Sequence, residues 1–568
     1  MKADERGFWI SSGASPLCAF WHLPGRPRAV ALLCNAFAEE RKGCLKPMVD
    51  LARRLAGLGV AVLRFDYAGC GDSPGVFGEG GTAAWEDDLL RAARLLADAF
   101  PGLPRLWSGA RGGAVLALSA AARADDAVAP DAFLLWEPVD GAAFLRQTLQ
   151  RAMVNAMIAY GKSRAGRDEL EAAWQRGEAV DLDGYRFPAS LANGLRALVP
   201  SASTRPGLLL RLSSDARAAA ACRGACPRLE EVFLRTPPFW NTVGQVDASA
   251  VFDASLSWVR EWLGAAAAPA GFTPAVPPAG TVAADADGTL WEHVAVEGPD
   301  GTVRGILHRP EAGKNGAPFS GAVLMLHGWS GDKTGPHALF TAAAKRLAAR
   351  RFACLRIDFG GRGSSDGLAS EASIERMTAE ARAALRFLRE RTGSVPVSVI
   401  ALCSGCKVAI SLAADEPSLP RLVLWSAESM GSLRSGSTGW RKTLAALRAY
   451  LRKLGRPETW KKILRRQVKA GMVGKALAAH ETRSPEEARR EDATLRRFRR
   501  FGGRLFFVYG GSDPDAPGSS KAYAAFCRKH RIPADRHLIP HAGHSYYGAE
   551  WKDELLGQTI AWLADESP

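Results

Sequence analysis

The sequence contains no run of about 18 apolar residues, so no membrane-spanning helix is expected. Its start, Met1-Lys2-Ala3-Asp4-Glu5-Arg6, leads into no apolar segment, so no signal peptide is expected either. Paired zinc-ligand spacing and aromatic-and-basic nucleic-acid modules are both missing. A formal net charge of +15 therefore does not make nucleic acid the expected partner. It fits attraction to phosphates, acidic carrier proteins or anionic lipid. Ten cysteines lie scattered, mostly in apolar runs. Without an export signal they read as reduced thiols in a cytosol. Cys222 and Cys226 have no histidine nearby, so no metal and no cofactor is expected. Histidine is nearly absent from the first half, where His22 stands alone before His293.

What is present is ordinary globular composition, 47% hydrophobic and 23% charged, in 568 residues. That length is too great for one core and predicts two large domains, or three. The chain also repeats itself. Ala29–Phe37 and Val60–Asp66 read as strands running into loops, with a helix pattern between them. Gly321–Trp329 and Phe352–Asp358 repeat that plan. Aligning Asp66 with Asp358 also aligns Asn35 with His327, Phe37 with Trp329 and Ser73 with Ser365, without a gap. This predicts a duplicated domain. The expected boundaries are 1–263 and 283–568, joined by an Ala/Pro-rich linker at 264–282. Strands alternate with helices, which predicts mostly parallel, doubly wound α/β sheets.

The chemistry centres on Val399-Ile400-Ala401-Leu402-Cys403-Ser404-Gly405. An apolar strand ends in a cysteine with small residues two before and two after it, and a helix pattern follows. A sharp strand-to-helix turn brings those flanking positions together, so both must be small. Cys403 satisfies the rule. Ser404 does not, because Leu402 would stand two before it. Cys403 and Cys406 also read as a redox pair at a helix start, a rival use of the same thiol.

These features resemble the α/β-hydrolase fold, through His327-Gly328-Trp329, the Asp358–Ser365 loop and the Cys403 turn. More narrowly, the halves resemble the two hydrolase families that accompany the exosortase A system of bacteria, here fused. The first half resembles the second of those families through Asp66–Ser73, Gly184-Tyr185 and Pro237-Pro238-Phe239-Trp240. The second half resembles the first family through Leu402–Gly405, Arg448–Leu451 and Trp460–Leu464. The resemblance implies a link to exopolysaccharide production and protein sorting. It also implies a chain order of nucleophile, acid, histidine. The acid just beyond the strand Arg504–Gly510 is then Asp513, with Asp515 as the alternative. The histidine is His544, with His541 as the fallback. The oxyanion donors are the N–H groups of Trp329 and Ser404. A thiol nucleophile tilts the expected reaction toward thioester hydrolysis or acyl transfer.

A helical cap is expected at about 427–501, and each half is expected to carry one. Eleven Lys or Arg residues and one acid lie between Arg441 and Lys469. Arg448 and Arg452 read as a basic face for an acyl-carrier protein or coenzyme A, or for peripheral membrane contact. Trp440 and Trp460 read as a roof over an acyl pocket. In the first half, Ser108 and Gly112 flank Ala110, which reads as a turn whose apex has lost its nucleophile. That half is expected to be a pseudo-hydrolase. The competing function is a non-catalytic scaffold that binds an acyl-carrier protein or an acyl chain.

Overall fold

The computed structural model describes residues 4–434 and 484–565, apart from 14, 161–164, 243, 245, 265–279, 312–318 and 394. Ten strands fall in the first half. They are β1 (Asp4–Ile10), β2 (Leu17–Leu23), β3 (Ala29–Cys34), β4 (Val60–Phe65), β5 (Arg105–Ala110), β6 (Ala132–Trp136), β7 (Val180–Leu182), β8 (Tyr185–Phe187), β9 (Gly207–Arg211) and β10 (Leu229–Phe233). Eight of them form one sheet in the order β1-β2-β4-β3-β5-β6-β9-β10. The second half contributes β11 (Val282–Ala284), β12 (Thr289–Gly298), β13 (Gly301–Pro310), β14 (Gly321–Leu326), β15 (Phe352–Ile357), β16 (Val397–Leu402), β17 (Arg421–Trp425), β18 (Arg504–Gly510) and β19 (Ala534–Ile539). Its order is β11-β12-β13-β15-β14-β16-β17-β18-β19. In both sheets the leading hairpin is antiparallel and the strands beyond it run parallel. Apart from the added β11, the two orders coincide. The central strands, such as β3, β4, β14 and β15, are buried along their whole length, because helices cover both faces.

Two expected boundaries move. The second sheet already begins at Val282, inside the expected linker, because β11 pairs with β12. The helix Pro485–Phe498, assigned to the cap, buries Leu495 and Phe498 in the same core as Val399 and Val408. It is a helix of the sandwich, not of a lid. In the first half, the helices Gly141–Tyr160, Arg167–Gln175 and Ala189–Ala197 and the β7–β8 hairpin intervene between β6 and β9. No helix among the described residues is long and apolar enough to cross a membrane.

The halves meet through their leading hairpins. Trp9, Cys18 and Phe20 pack with Ala283, Trp291 and Ile306 in one apolar cluster. Beneath it lies a buried ionic network in which residues 292 positions apart play matching parts. Asp66 pairs with Arg41 at 2.6 Å, and Asp358 with Lys333 at 2.8 Å. Arg356 reaches across to Asp72 at 2.9 Å, and Arg64 reaches back to the Ser364 hydroxyl at 3.0 Å. This is the reciprocal contact pattern of a two-fold dimer, built within one chain.

Candidate active site

Cys403 stands between β16 and the helix Gly405–Asp415 with φ of 59°, a left-handed conformation costly for a residue with a side chain. A methyl group on Gly405 would lie 2.5 Å from the Leu326 carbonyl oxygen and 2.6 Å from that of His327. Only glycine lets the turn press against the end of β14. The thiol is half-buried and projects from the C-terminal end of a parallel sheet. Loops from neighbouring strands converge at that end of such sheets.

Asp513 follows β18 and is buried, and His544 lies in the loop after β19. His544 Nδ1–H donates to Asp513 Oδ2 at 2.8 Å, leaving its other nitrogen to face Cys403. Burial alone would lower the imidazole pKa. The bonds and charges of Asp513 and Cys403 outweigh it and carry the value from 6.5 to about 10. Asp515 instead donates its backbone N–H to Asp513 Oδ1 at 3.0 Å. His541 turns away, its ring 5.0 Å from that of Tyr160 in the first half.

Two members of the cluster escaped the sequence reading. The Cys403 thiol donates to Glu428 Oε1 at 3.4 Å, and Glu428 Oε2 pairs with Lys407 Nζ at 3.2 Å. Donor atoms of Cys403, Glu428 and His544 all lie within 4.8 Å of one another. Burial pushes the Glu428 carboxyl up, but Lys407 overrides it and holds it below the usual range. Lys407 is itself fully buried and also meets Glu491 at 3.5 Å. The available signal was a lysine in the otherwise apolar run Cys406–Ala409, four residues past the turn and so on its helical face.

Of the two expected oxyanion donors, Ser404 heads the helix, where first-turn N–H groups have no intrahelical acceptor. The Trp329 N–H donates to the Ser404 hydroxyl at 2.7 Å, so an oxyanion there would have to displace that hydroxyl. Cys406 is buried, its thiol donating to the Ala401 and Trp425 carbonyls, and burial raises its pKa. Those features belong to a structural thiol, not to half of a redox pair. Trp440, Arg448, Arg452 and Trp460 lie outside the described residues.

The first half corrects the reading of Ala110. The strained residue is Arg111, with φ of 56°, while Ala110 is the last residue of β5. Arg111 stands 292 positions before Cys403, so the gap-free register continues through the turn. Gly113 occupies the place of Gly405, and a methyl group there would lie 2.5 Å from the Cys34 carbonyl oxygen. The flanking pair is therefore Gly109 and Gly113, not Ser108 and Gly112. The Arg111 guanidinium donates to both Glu40 oxygens, at 3.1 and 3.0 Å, and to Gln147 at 3.0 Å. Its charge also lies 4.5 Å from the centre of the Trp240 ring. A buried ion pair fills the place that the Cys403 thiol holds in the second half.

Residues 323–557 match the model of the alpha/beta hydrolase family. Three solved structures are similar at low identity. Est1E from Butyrivibrio proteoclasticus, with ferulic acid bound, is 14% identical over 48% of this chain and 98% of its own, with a TM-score of 0.34. An esterase from Pyrococcus furiosus is 15% identical over 48% and 90%, with a TM-score of 0.34. A dienelactone hydrolase from Anabaena variabilis is 15% identical over 49% and 98%, with a TM-score of 0.33. No curated protein matches the chain. The family match, together with the strand order and the strained turn after β16, gives the α/β-hydrolase fold with mostly parallel sheets.

Proposed function

We propose that the second half cleaves an ester or thioester through a covalent acyl-cysteine. The observation that supports this reading is the meeting of Cys403, His544 and Asp513 at one strained turn. With its pKa carried to about 10, His544 rests as the imidazolium that holds the thiol's proton, and Asp513 fixes the ring orientation and stabilises that charge. The sulfur attacks the carbonyl carbon, and the tetrahedral oxyanion collapses. The alcohol or thiol leaves with the proton returned by His544. Water, or an acceptor alcohol, amine or thiol, then attacks the thioester and regenerates Cys403. The backbone donors Ser404 and Trp329 receive the oxyanion, each contributing on the order of 3 kcal/mol. Glu428 competes with His544 for the thiol proton, so deprotonation belongs to the whole cluster and not to one residue.

In this proposal the first half is catalytically silent, because Arg111 offers no nucleophile. An acyl-carrier protein or coenzyme A thioester is the proposed donor, and the basic stretch Arg441–Lys469 its dock. The finer kinship with the exosortase A-associated hydrolases belongs to the same proposal. The test is intact-mass measurement after incubation with p-nitrophenyl acetate and a panel of acyl-CoAs. The expected result is one acyl adduct on the native chain and none on Cys403→Ala. Capture of an acyl-carrier protein that survives Cys403→Ala, with no adduct and no turnover of any acyl donor, would instead establish the scaffold reading.

A further inference from the structure

A cavity of about 450 Å³ lies between the halves, with Trp329, Ser330 and Gly331 among its lining residues. That volume is in the range that accepts a small organic ligand. Phe239, Trp240 and Tyr547 give it aromatic walls, and Trp329, 40% exposed, forms its border with the turn.

Its charges separate into spent and unspent. Lys42 pairs with Glu39 at 3.7 Å, Lys46 with Asp50 at 2.6 Å and Arg151 with Asp183 at 2.6 Å. Two charged groups on the wall are left. Arg362 is 8% exposed. Its guanidinium donates only to the backbone carbonyls of Trp329 and Gly361, at 2.6 and 3.3 Å, and forms no ion pair with any described carboxylate. Asp332 is 3% exposed, and its Oδ2 has no hydrogen-bond partner among the described residues. Asp332 is electrostatically coupled to Arg41 in the interdomain network. Arg362 feels the charge of Glu380 but has no carboxylate in contact with it among the described residues. Burial pulls the Arg362 pKa down, and a guanidinium with no contacting carboxylate leaves room for an anionic partner. The aromatic surface beside it suits an apolar body.

We propose that this cavity binds a small organic anion. Arg362 takes its carboxylate or phosphate, and Trp240 and Phe239 hold its apolar body. Cys403 does not line this cavity. The cavity would still couple to the centre at Cys403, because Arg362 holds the Trp329 carbonyl while the Trp329 N–H holds Ser404.

The test is isothermal titration of the full chain with phenyl phosphate, benzoate and the neutral benzyl alcohol. One anion per chain is expected to bind at least about tenfold more tightly than benzyl alcohol, as a charge-assisted contact requires. The preferred anion identifies the head group. Arg362→Gln should erase the preference for charge, Arg362→Lys should restore part of it, and Ser330→Trp should fill the cavity and weaken all three ligands. Equal affinity for charged and neutral probes, no saturable binding of either anion, or undiminished anion binding by folded Arg362→Gln would overturn the proposal.

Discussion

Arg111 and Cys403 occupy the same turn in two sheets of the same strand order, with φ of 56° and 59°. One turn carries a thiol beside an imidazole. The other carries a guanidinium locked to Glu40 and covered by Trp240. Backbone strain at a turn is often taken as a sign of function. Here the first half keeps the strain without the thiol. The strain therefore reports the geometry of the fold, set by glycine two residues on and a strand end pressed against it. Function enters only through the side chain at the apex and its partners.

Three experiments would break or sharpen that comparison. The largest effect is expected at the apex residues. Cys403→Ala should lower turnover of p-nitrophenyl acetate by about a thousandfold or more, as loss of a nucleophile does. Arg111→Ala should leave turnover per folded molecule unchanged and cost about 3 kcal/mol in urea unfolding, because it strands the buried Glu40 carboxylate. A loss of turnover on Arg111→Ala that exceeds its loss of folded protein would remove the claim that the first turn is silent.

The second contrast lies at the interface. Arg356→Met leaves buried Asp72 with Lys333 alone and should cost about 3 kcal/mol. Among the described residues its counterpart Arg64 meets only the Ser364 hydroxyl and the Phe20 ring, has no partner for its Nε, and is pushed down by burial to about 10. Arg64→Met should therefore stay within about 1 kcal/mol of the parent. Equal losses in chemical denaturation would show that the two reciprocal contacts carry equal weight after all.

The third contrast is a pH slope that belongs to the second half. The His544 pKa rises from 6.5 to about 10 on folding. Below pH 6.5 the ring is protonated in both states, and its charge pairing with Asp513 contributes fully. Between 6.5 and 10 the unfolded chain has lost that proton while the folded chain must still hold it, so stability falls as pH rises. The thermal midpoint of the native chain should drop across this window more steeply than that of Asp513→Asn. Parallel slopes for the two proteins would separate His544 from that linkage.

Much of the site was legible because the turn obeys a steric rule readable residue by residue. Ala401 and Gly405 marked Cys403, and the order of elements offered Asp513 and His544. Position alone already preferred Asp513 over Asp515 and His544 over His541, and the coordinates add the 2.8 Å contact between the preferred pair. The Ala110 reading failed although the correct answer was in the repeat, because Ser108 and Gly112 also satisfy the small-residue rule one position off. The register that aligned Asp66 with Asp358 pointed to Arg111. Glu428 was hidden for another reason: a carboxylate in a loop says nothing until Lys407 is seen buried against it.

The sequence by itself determined the duplicated α/β plan, the two turns and the thiol, because periodicity, small-residue spacing and repetition are local properties of the chain. Tertiary structure alone decided that the Trp329 N–H is held by Ser404, that Glu428 shares the thiol proton, and that Arg356 and Asp72 join the halves. It also decided that a cavity with an unpaired guanidinium lies between them. Each of these depends on groups tens to hundreds of residues apart meeting at strand ends and hairpins, where burial turns an ordinary polar side chain into one whose partner matters.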